Sequence, residues 1–328
     1  MTSIGKAISL GAALLLVQAP VRAQQEAEPE VINGGLVLES GEGIALLSQD
    51  LHVARDAIRS RSVFRNQTSA DMTRALVFTV PDRGALQDAR ILSWPRQPTI
   101  QVDGRPVEWR ADHRALLGGQ DHSATLARLN VPVFYFDDAF ASVRQALGAL
   151  SPADQAELVA LGLVEIFDPD NGPPEFTPLW TVRELWRVEQ VFPAGRDVVV
   201  EHGFAPGLGG TVEVGISSQP IRDSEYGQAM IARYCLDDAF LAGLDRIAVP
   251  QDGADYPSIG QYQLAYAPGP APAGEFRLVV DRGQPDAIAG VCGEDRRDVS
   301  PTQVELRRGI GAPSDPIRVL FMAVQSAE

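Results

Sequence analysis

The chain has 328 residues, 45% of them hydrophobic, and carries 28 lysines and arginines against 43 aspartates and glutamates, a net charge of −15. So acidic a surface repels phosphate backbones and anionic lipid faces, which excludes nucleic acid and anionic membranes as general partners. Lys6 is the single lysine.

The first predicted element is a leader. Lys6 precedes the apolar run of residues 8–17, and Val21-Arg22-Ala23 places small residues where a signal peptidase reads. Cleavage after Ala23 is expected, making residues 1–23 a signal peptide. The alternative is a buried first helix, but the flanks suit export. The run is too short to span a bilayer, and no later stretch approaches membrane length, so no membrane insertion is expected after cleavage. Losing Lys6 and Arg22 leaves 26 basic against 43 acidic residues. It also leaves no lysine for a Schiff base, a pyridoxal phosphate or a phosphate loop. The expected address is the periplasm or the medium. There, two cysteines, Cys235 and Cys292, read as one disulfide, with free or metal-binding thiols as the alternative.

Residues 24–32 are polar and acidic, a disordered lead-in. Residues 33–130 follow as a first antiparallel β part. Strands are predicted over 44–53, 58–65 and 75–80, with turn chemistry at Asn66-Gln67-Thr68-Ser69. Asp103-Gly104 marks a tight hairpin between 99–102 and 107–110, and Pro106 places the second run at a sheet edge.

Residues 131–170 read as a short helical insert. One helix over 138–149 carries an apolar stripe of Phe140, Val143, Leu147 and Leu150 behind Asp137-Asp138. A second over 152–161, capped by Ser151-Pro152, presents Leu158 and Leu161 and stops at Gly162.

Residues 171–328 form a second β-rich part. Its first feature is a long predicted hairpin over 180–206. Trp180, Val182, Trp186, Val188 and Phe192 fall on one face at a period of two, and Pro193-Ala194-Gly195 turns the chain. Val198, Val200 and Phe204 continue the apolar face, with His202 in the same phase. Residues 207–210 read as a flexible bend, and 211–216 as a strand. A helix over 238–244 starts behind Asp237, and strands are predicted over 261–266, 276–281, 304–307 and 317–324. The fold class is therefore mainly β (α+β): antiparallel, sandwich-like sheets in two connected parts with a short helical insert.

Chemistry is harder to find. Asp168-Pro169-Asp170-Asn171-Gly172 has the look of a calcium loop, but Gly172 falls at position 5 instead of 6 and Leu179 at position 12, so a plain turn is expected. His52, His113, His122 and His202 show no metal-binding spacing. His202 reads as a satisfied core histidine. No serine sits in Gly-x-Ser-x-Gly, and neither cysteine has the context of a nucleophile. Helix capping accounts for Asp137/Asp138 and Asp237/Asp238. No catalytic residue, cofactor or metal ligand is assigned. Trp180, Trp186, Tyr262 and Tyr266 could form an aromatic platform for sugars or peptides if their strands are exposed together; core packing is the alternative.

Gly34-Gly35-Leu36, Phe64-Arg65-Asn66, Val80-Pro81-Asp82, Trp180-Thr181-Val182-Arg183 and Phe192-Pro193-Ala194-Gly195 recur in a set order. Tyr234-Cys235, residues 276–283, Cys292-Gly293 and Ser300-Pro301-Thr302 continue it. Together they resemble the exported bacterial family known as domain of unknown function 4424, from about residue 33 to the C-terminus. The resemblance implies an envelope protein with an accessory helical insert and brings no active site. The sequence reading is thus an exported, non-catalytic binding or assembly module, with an envelope protein or a glycan as partner. The alternative is a periplasmic hydrolase working through acidic residues that the sequence does not single out.

Overall fold

The structure is a computed structural model. It describes residues 31–325 apart from 85–90, 97, 168–172, 212–214, 249–257, 271–273, 294 and 309–315. The predicted leader and the Asp168–Gly172 turn lie outside the described residues. So does most of the acidic lead-in, but its last two residues do not. Val31 is buried and Ile32–Gly34 is a strand running parallel to Ile259–Ala267, so order begins before residue 33.

One layer is an eight-stranded sheet. Across it run Arg296–Asp298, Gln303–Arg308, Glu275–Asp281, Ile44–Ala54, Ile58–Asn66, Asp197–Phe204, Thr99–Val102 and Arg105–Pro106. All neighbours are antiparallel except Ile44–Ala54 and Glu275–Asp281. A five-stranded sheet contains Arg110–Leu117, Thr181–Phe192 and Met72–Thr79. A six-stranded sheet is centred on Ile259–Ala267 and Ile317–Val324. Buried side chains of all three sheets form one continuous core, from Leu51, Phe64 and Leu278 through Phe78 and Phe192 to Tyr266 and Phe321. The mainly β class therefore holds. Strands from the two ends of the sequence share sheets, as Ile44–Ala54 and Glu275–Asp281 do, so the β parts are interleaved.

The long hairpin is corrected. Residues 181–192 and 197–204 are strands with the expected alternation, but they belong to different sheets. Thr181–Phe192 pairs with Met72–Thr79 and Arg110–Leu117, and Asp197–Phe204 pairs with Ile58–Asn66 and Thr99–Val102. Pro193-Ala194-Gly195 carries the chain between layers. Beside it, residues 67–71 make the opposite crossing. Asn66 ties the two together: its Nδ2 donates to the carbonyls of Phe192 and Ala70, both at 2.8 Å, and its own carbonyl accepts from Gly195 N at 3.0 Å. Phe64 and Phe192 meet edge to face across the core, centroids 6.0 Å apart. Alternation fixes which face of a strand is buried and leaves its partner strand open.

Two smaller differences follow local geometry. The bend predicted at 207–210 is the strand Leu208–Thr211, and a Cβ at Gly210 (φ +140°) would overlap the carbonyl oxygen of Gln261 on the next strand. Glycine here serves close approach rather than flexibility. The second arm of the Asp103-Gly104 hairpin is only Arg105–Pro106, and the next strand starts at Arg110.

A second hydrophobic core lies under the helical insert. Val143 and Leu147 of Ala139–Gly148 and Leu158 of Pro152–Ala160 pack with Leu126, Tyr135, Phe176, Trp180 and Val182. Phe140 and Leu161, expected on the inner faces of these helices, are each 39% exposed. Ser123–Arg128 adds a short helix that the sequence reading did not anticipate.

A third core covers the far face of the six-stranded sheet. Ile317–Val324 buries Val319 and Phe321 in the main core and Leu320 and Met322 against two helices, Glu225–Tyr234 and Asp238–Ile247. A strand buried on both faces needs a continuous apolar run, and Val319 to Ala323 supplies it. The Cys235–Cys292 disulfide joins the C-terminus of the first of these helices to the chain just beyond Ile288–Val291.

Candidate functional site

The strand Thr181–Phe192 serves two cores. Val182 belongs to the core under the insert, and Trp186, Val188 and Phe192 pack against the main one. Glu184 lies between them in the same inward phase, and the register places His113 directly opposite. Where the two cores part, a cleft of about 580 Å³ opens. Its floor is Val182, Glu184 and Trp186 with His113. The walls come from Phe134 and Phe136 of the insert and from Trp94 and Pro95 after the short strand Ile91–Ser93. This volume lies within the range of small-molecule sites.

Two charged side chains are largely buried in it. The Glu184 side chain is 19% exposed, and its carboxylate stands 3.3 Å from His113 Nε2. The Arg83 side chain is 18% exposed and stands 3.5 Å from Asp137, which is mostly in solvent. The Arg83 guanidinium lies 3.8 Å from the ring centre of Phe136 and 5.3 Å from that of Trp94, and His113 packs 5.1 Å from Phe134. Burial pulls the Arg83 pKa down, with Asp137 opposing. The indole nitrogens of Trp94 and Trp186 have no hydrogen-bond partner among the described residues. Asp137 therefore has a role that helix capping does not cover. The N-cap residue Asp138 makes no side-chain cap bond, whereas Asp237 accepts from Phe240 N at 2.8 Å as expected.

The four predicted platform aromatics do not assemble. Trp180 is fully buried, with its indole donating to the Val133 carbonyl at 2.7 Å and its own carbonyl accepting from the Tyr135 hydroxyl at 2.5 Å. Burial pushes the Tyr135 pKa up to about 12. Tyr266 is also fully buried, 6.4 Å from Phe204 in the main core, and burial raises its pKa too. Tyr262 lines a separate polar hollow, with Arg55 4.7 Å over its ring. Only Trp186 reaches the cleft. Core packing claims Trp180 and Tyr266, both fully buried, while Tyr262 lies at its own hollow.

Cys235 and Cys292 are joined, with Cα atoms 5.0 Å apart. His202 is buried, but its two ring nitrogens have no partner among the described residues, so it is not the satisfied core histidine expected. His52 stands 3.6 Å from Asp281 beside a shallow saddle on the outer face of the eight-stranded sheet. Among the described residues no group of three or more His, Cys, Asp or Glu side chains is placed to hold a metal ion. Asp121, Asp197 and Glu305 are held below the usual carboxylate range by hydrogen bonds from Ser123, Arg65 and Arg307 respectively. For Asp281, burial opposes the shift, but hydrogen bonds led by Gln303 outweigh it and again lower the pKa. None of the four lines the cleft.

The sequence reading missed Glu184, His113, Arg83, Trp94, Phe134 and Phe136 as a group. One signal was present: Glu184 interrupts an inward row that runs Trp180, Val182, Trp186. The rest come together only through register and through the packing of the insert.

Fold and site together define a mainly β protein whose three large sheets share one core, with an aromatic cleft where a helical insert meets the sandwich. The chain belongs to the family described as Domain of unknown function (DUF4424), whose model matches residues 26–320. No curated protein matches the sequence. Among solved structures, one similar chain is a Legionella pneumophila protein named only provisionally for nutrient binding. It is 9% identical with a TM-score of 0.43, over 88% of this chain and 70% of that one. An M1 zinc metallopeptidase from Deinococcus radiodurans is 8% identical with a TM-score of 0.26, over 85% of this chain and 42% of its own. The chain thus spans less than half the length of that peptidase.

Proposed function

We propose that the protein is an exported, non-catalytic binding module of the cell envelope that takes a small ligand in the cleft between insert and sandwich. The observation that carries this reading is the cleft itself, whose aromatic walls enclose two largely buried and opposite charges, Arg83 and Glu184. Buried charges are costly and cluster where binding needs them. The leader motif supports export, because Val21-Arg22-Ala23 follows an apolar run of signal-peptide length. Protein recovered from the periplasm or medium should begin at Gln24 or within two residues of it, and an intact Met1 in soluble folded material would contradict export.

The binding reading is tested by thermal shift of the mature protein against amino acids, short peptides and saccharides. A stabilising compound should lose its effect in Trp94→Ala and keep it in Arg59→Ala, on the outer face of the eight-stranded sheet. If no compound's effect depends on Trp94, the cleft is not the binding site. An envelope protein as partner, the other expectation from sequence, would appear as cross-linking that Trp94→Ala leaves intact.

A further inference from the structure

A second opening lies away from the cleft, where the turn after Ile44–Ala54 and the end of Glu275–Asp281 meet the six-stranded sheet. It is a hollow of about 630 Å³, within the range of small-molecule sites. Tyr262, on Ile259–Ala267, lines it. The Tyr262 ring lies back over Gly260, where a Cβ would come within 2.6 Å of its hydroxyl. Gln325 Nε2 donates to that hydroxyl at 3.3 Å. Glycine and glutamine thus fix the ring, and the ring holds Arg55, whose guanidinium stands 4.7 Å over it.

Among the described residues Arg55 makes no hydrogen bond or ion pair. A guanidinium stays charged and presents a planar fork of donors that matches a carboxylate. The Tyr262 hydroxyl accepts from Gln325 and keeps its own hydrogen for another acceptor. Arg282 adds a second positive charge to the lining, with one nitrogen donating to the Pro301 carbonyl at 2.7 Å. Of the two aspartates there, Asp281 is already engaged. It accepts from Gly283 N at 2.9 Å and Gln303 Nε2 at 2.7 Å, and stands 3.6 Å from His52. A cation would find only Asp56 and would face both arginines, whereas Asp56 disfavours a dianion. The side chains of Asp56 and Gln284 have no partner among the described residues, so the lining also offers an acceptor and an amide to hydroxyl groups.

We propose that this hollow is a second binding site, separate from the cleft, for a small hydroxylated carboxylate. Arg55 holds the carboxylate, the Tyr262 hydroxyl donates to the same group, and Asp56 and Gln284 bond the ligand's hydroxyls.

Isothermal titration of the mature protein with lactate, gluconate and glucuronate tests this, with sorbitol, benzoate and inorganic phosphate as counterparts. At least one hydroxycarboxylate should bind. Sorbitol, which lacks the carboxylate, and benzoate, which lacks hydroxyls, should each be weaker by about tenfold. Arg55→Gln, in an exposed turn closed by Ala54 N donating to the Ala57 carbonyl at 2.8 Å, should weaken binding by a similar factor with little change in melting temperature. Tyr262→Phe keeps the ring under Arg55 and removes the hydroxyl, so it should weaken binding less. Trp94→Ala should leave it unchanged, which separates this site from the cleft. Sorbitol or benzoate binding as well as the best hydroxycarboxylate overturns the proposal, and so does phosphate binding more tightly. Binding that Arg55→Gln leaves intact, or the failure of all three hydroxycarboxylates, overturns it too. None of these outcomes bears on the cleft.

Discussion

His202 occupies the inner face of the eight-stranded sheet between Val200 and Phe204, 4% exposed. Its ring stands edge-on to Phe78 at 5.9 Å and stacks on Phe204 at 6.3 Å. Burial pushes its pKa down to about 4, so it is neutral at pH 7. In the unfolded chain it returns to an ordinary value near 6.5, and as pH falls the unfolded state takes up the proton first. Its contribution is therefore intact above pH 6.5 and is lost progressively between pH 6.5 and 4, to a limit of roughly 3 kcal/mol. Urea unfolding at pH 7.5 and 4.5 should show a larger loss of stability for the wild type than for His202→Leu. Equal losses would mean that His202 does not titrate with folding. The inward phase of this residue was legible in the sequence, because Val198, Val200 and Phe204 set it. Its lack of a partner was not, since that depends on what the opposite layers bring to it. The same holds for Glu184, whose phase is visible and whose neighbour His113 comes from a strand about 70 positions earlier in the chain.

Strands were easier to read than their pairings. The predicted spans 44–53, 58–65 and 276–281 match Ile44–Ala54, Ile58–Asn66 and Glu275–Asp281 closely. The partner of Thr181–Phe192 was misread because a proline-glycine turn serves a layer crossing as well as a hairpin. That crossing depends on Asn66, fully buried, whose side chain also accepts from Thr68 N at 2.9 Å. Asn66→Ala removes the side-chain donor to the Phe192 carbonyl and one of two to that of Ala70, which keeps Thr68 Oγ1 at 3.0 Å. It should cost about 2–4 kcal/mol in denaturant unfolding, and a loss under 1 kcal/mol would contradict the role given to it. The helix Glu225–Tyr234 escaped prediction although Ser224 caps it through Gly227 N, because a glycine in the first turn interrupts the helical pattern. Its end is pinned by the Cys235–Cys292 bond, which closes a separation of 57 positions. In the chain-entropy model such a loop is worth roughly 4 kcal/mol. The double serine variant should melt lower than the wild type and ignore reducing agent, and thiol titration of denatured, unreduced protein should find no free thiols. Two thiols per chain would remove the bond from the account.

At the scale of the whole molecule, the insert meets the sandwich along two neighbouring strands, Thr181–Phe192 and Arg110–Leu117, which send Val182 and Ala115 into the second core, and through a few aromatic contacts. Trp180 is the principal tie: it is fully buried, bonded through its indole to Val133 and through its carbonyl to Tyr135, with the Tyr135 ring edge-on at 5.2 Å. The residues that stack beneath the insert helices, Val143, Leu147 and Leu158, contact this second core and not the main one. Truncation at Trp180 therefore acts on the insert first. Trp180→Ala should cost about 3–5 kcal/mol within that core, and native-state hydrogen exchange should show it as faster opening of the helices Ser123–Arg128, Ala139–Gly148 and Pro152–Ala160. The strands Ile58–Asn66 and Glu275–Asp281, in the middle of the eight-stranded sheet, should keep their protection, because local units open with their own free energies. Phe134 and Phe136 belong to the insert side of the cleft, so the same variant should lose ligand binding although Trp180 does not line the cleft. Conversely, a cleft ligand should slow exchange across the insert in the wild type, since it bridges two units that otherwise open separately. Equal acceleration across insert and sandwich in Trp180→Ala would show one cooperative unit, and the division into a stable sandwich and a separately opening insert would be wrong.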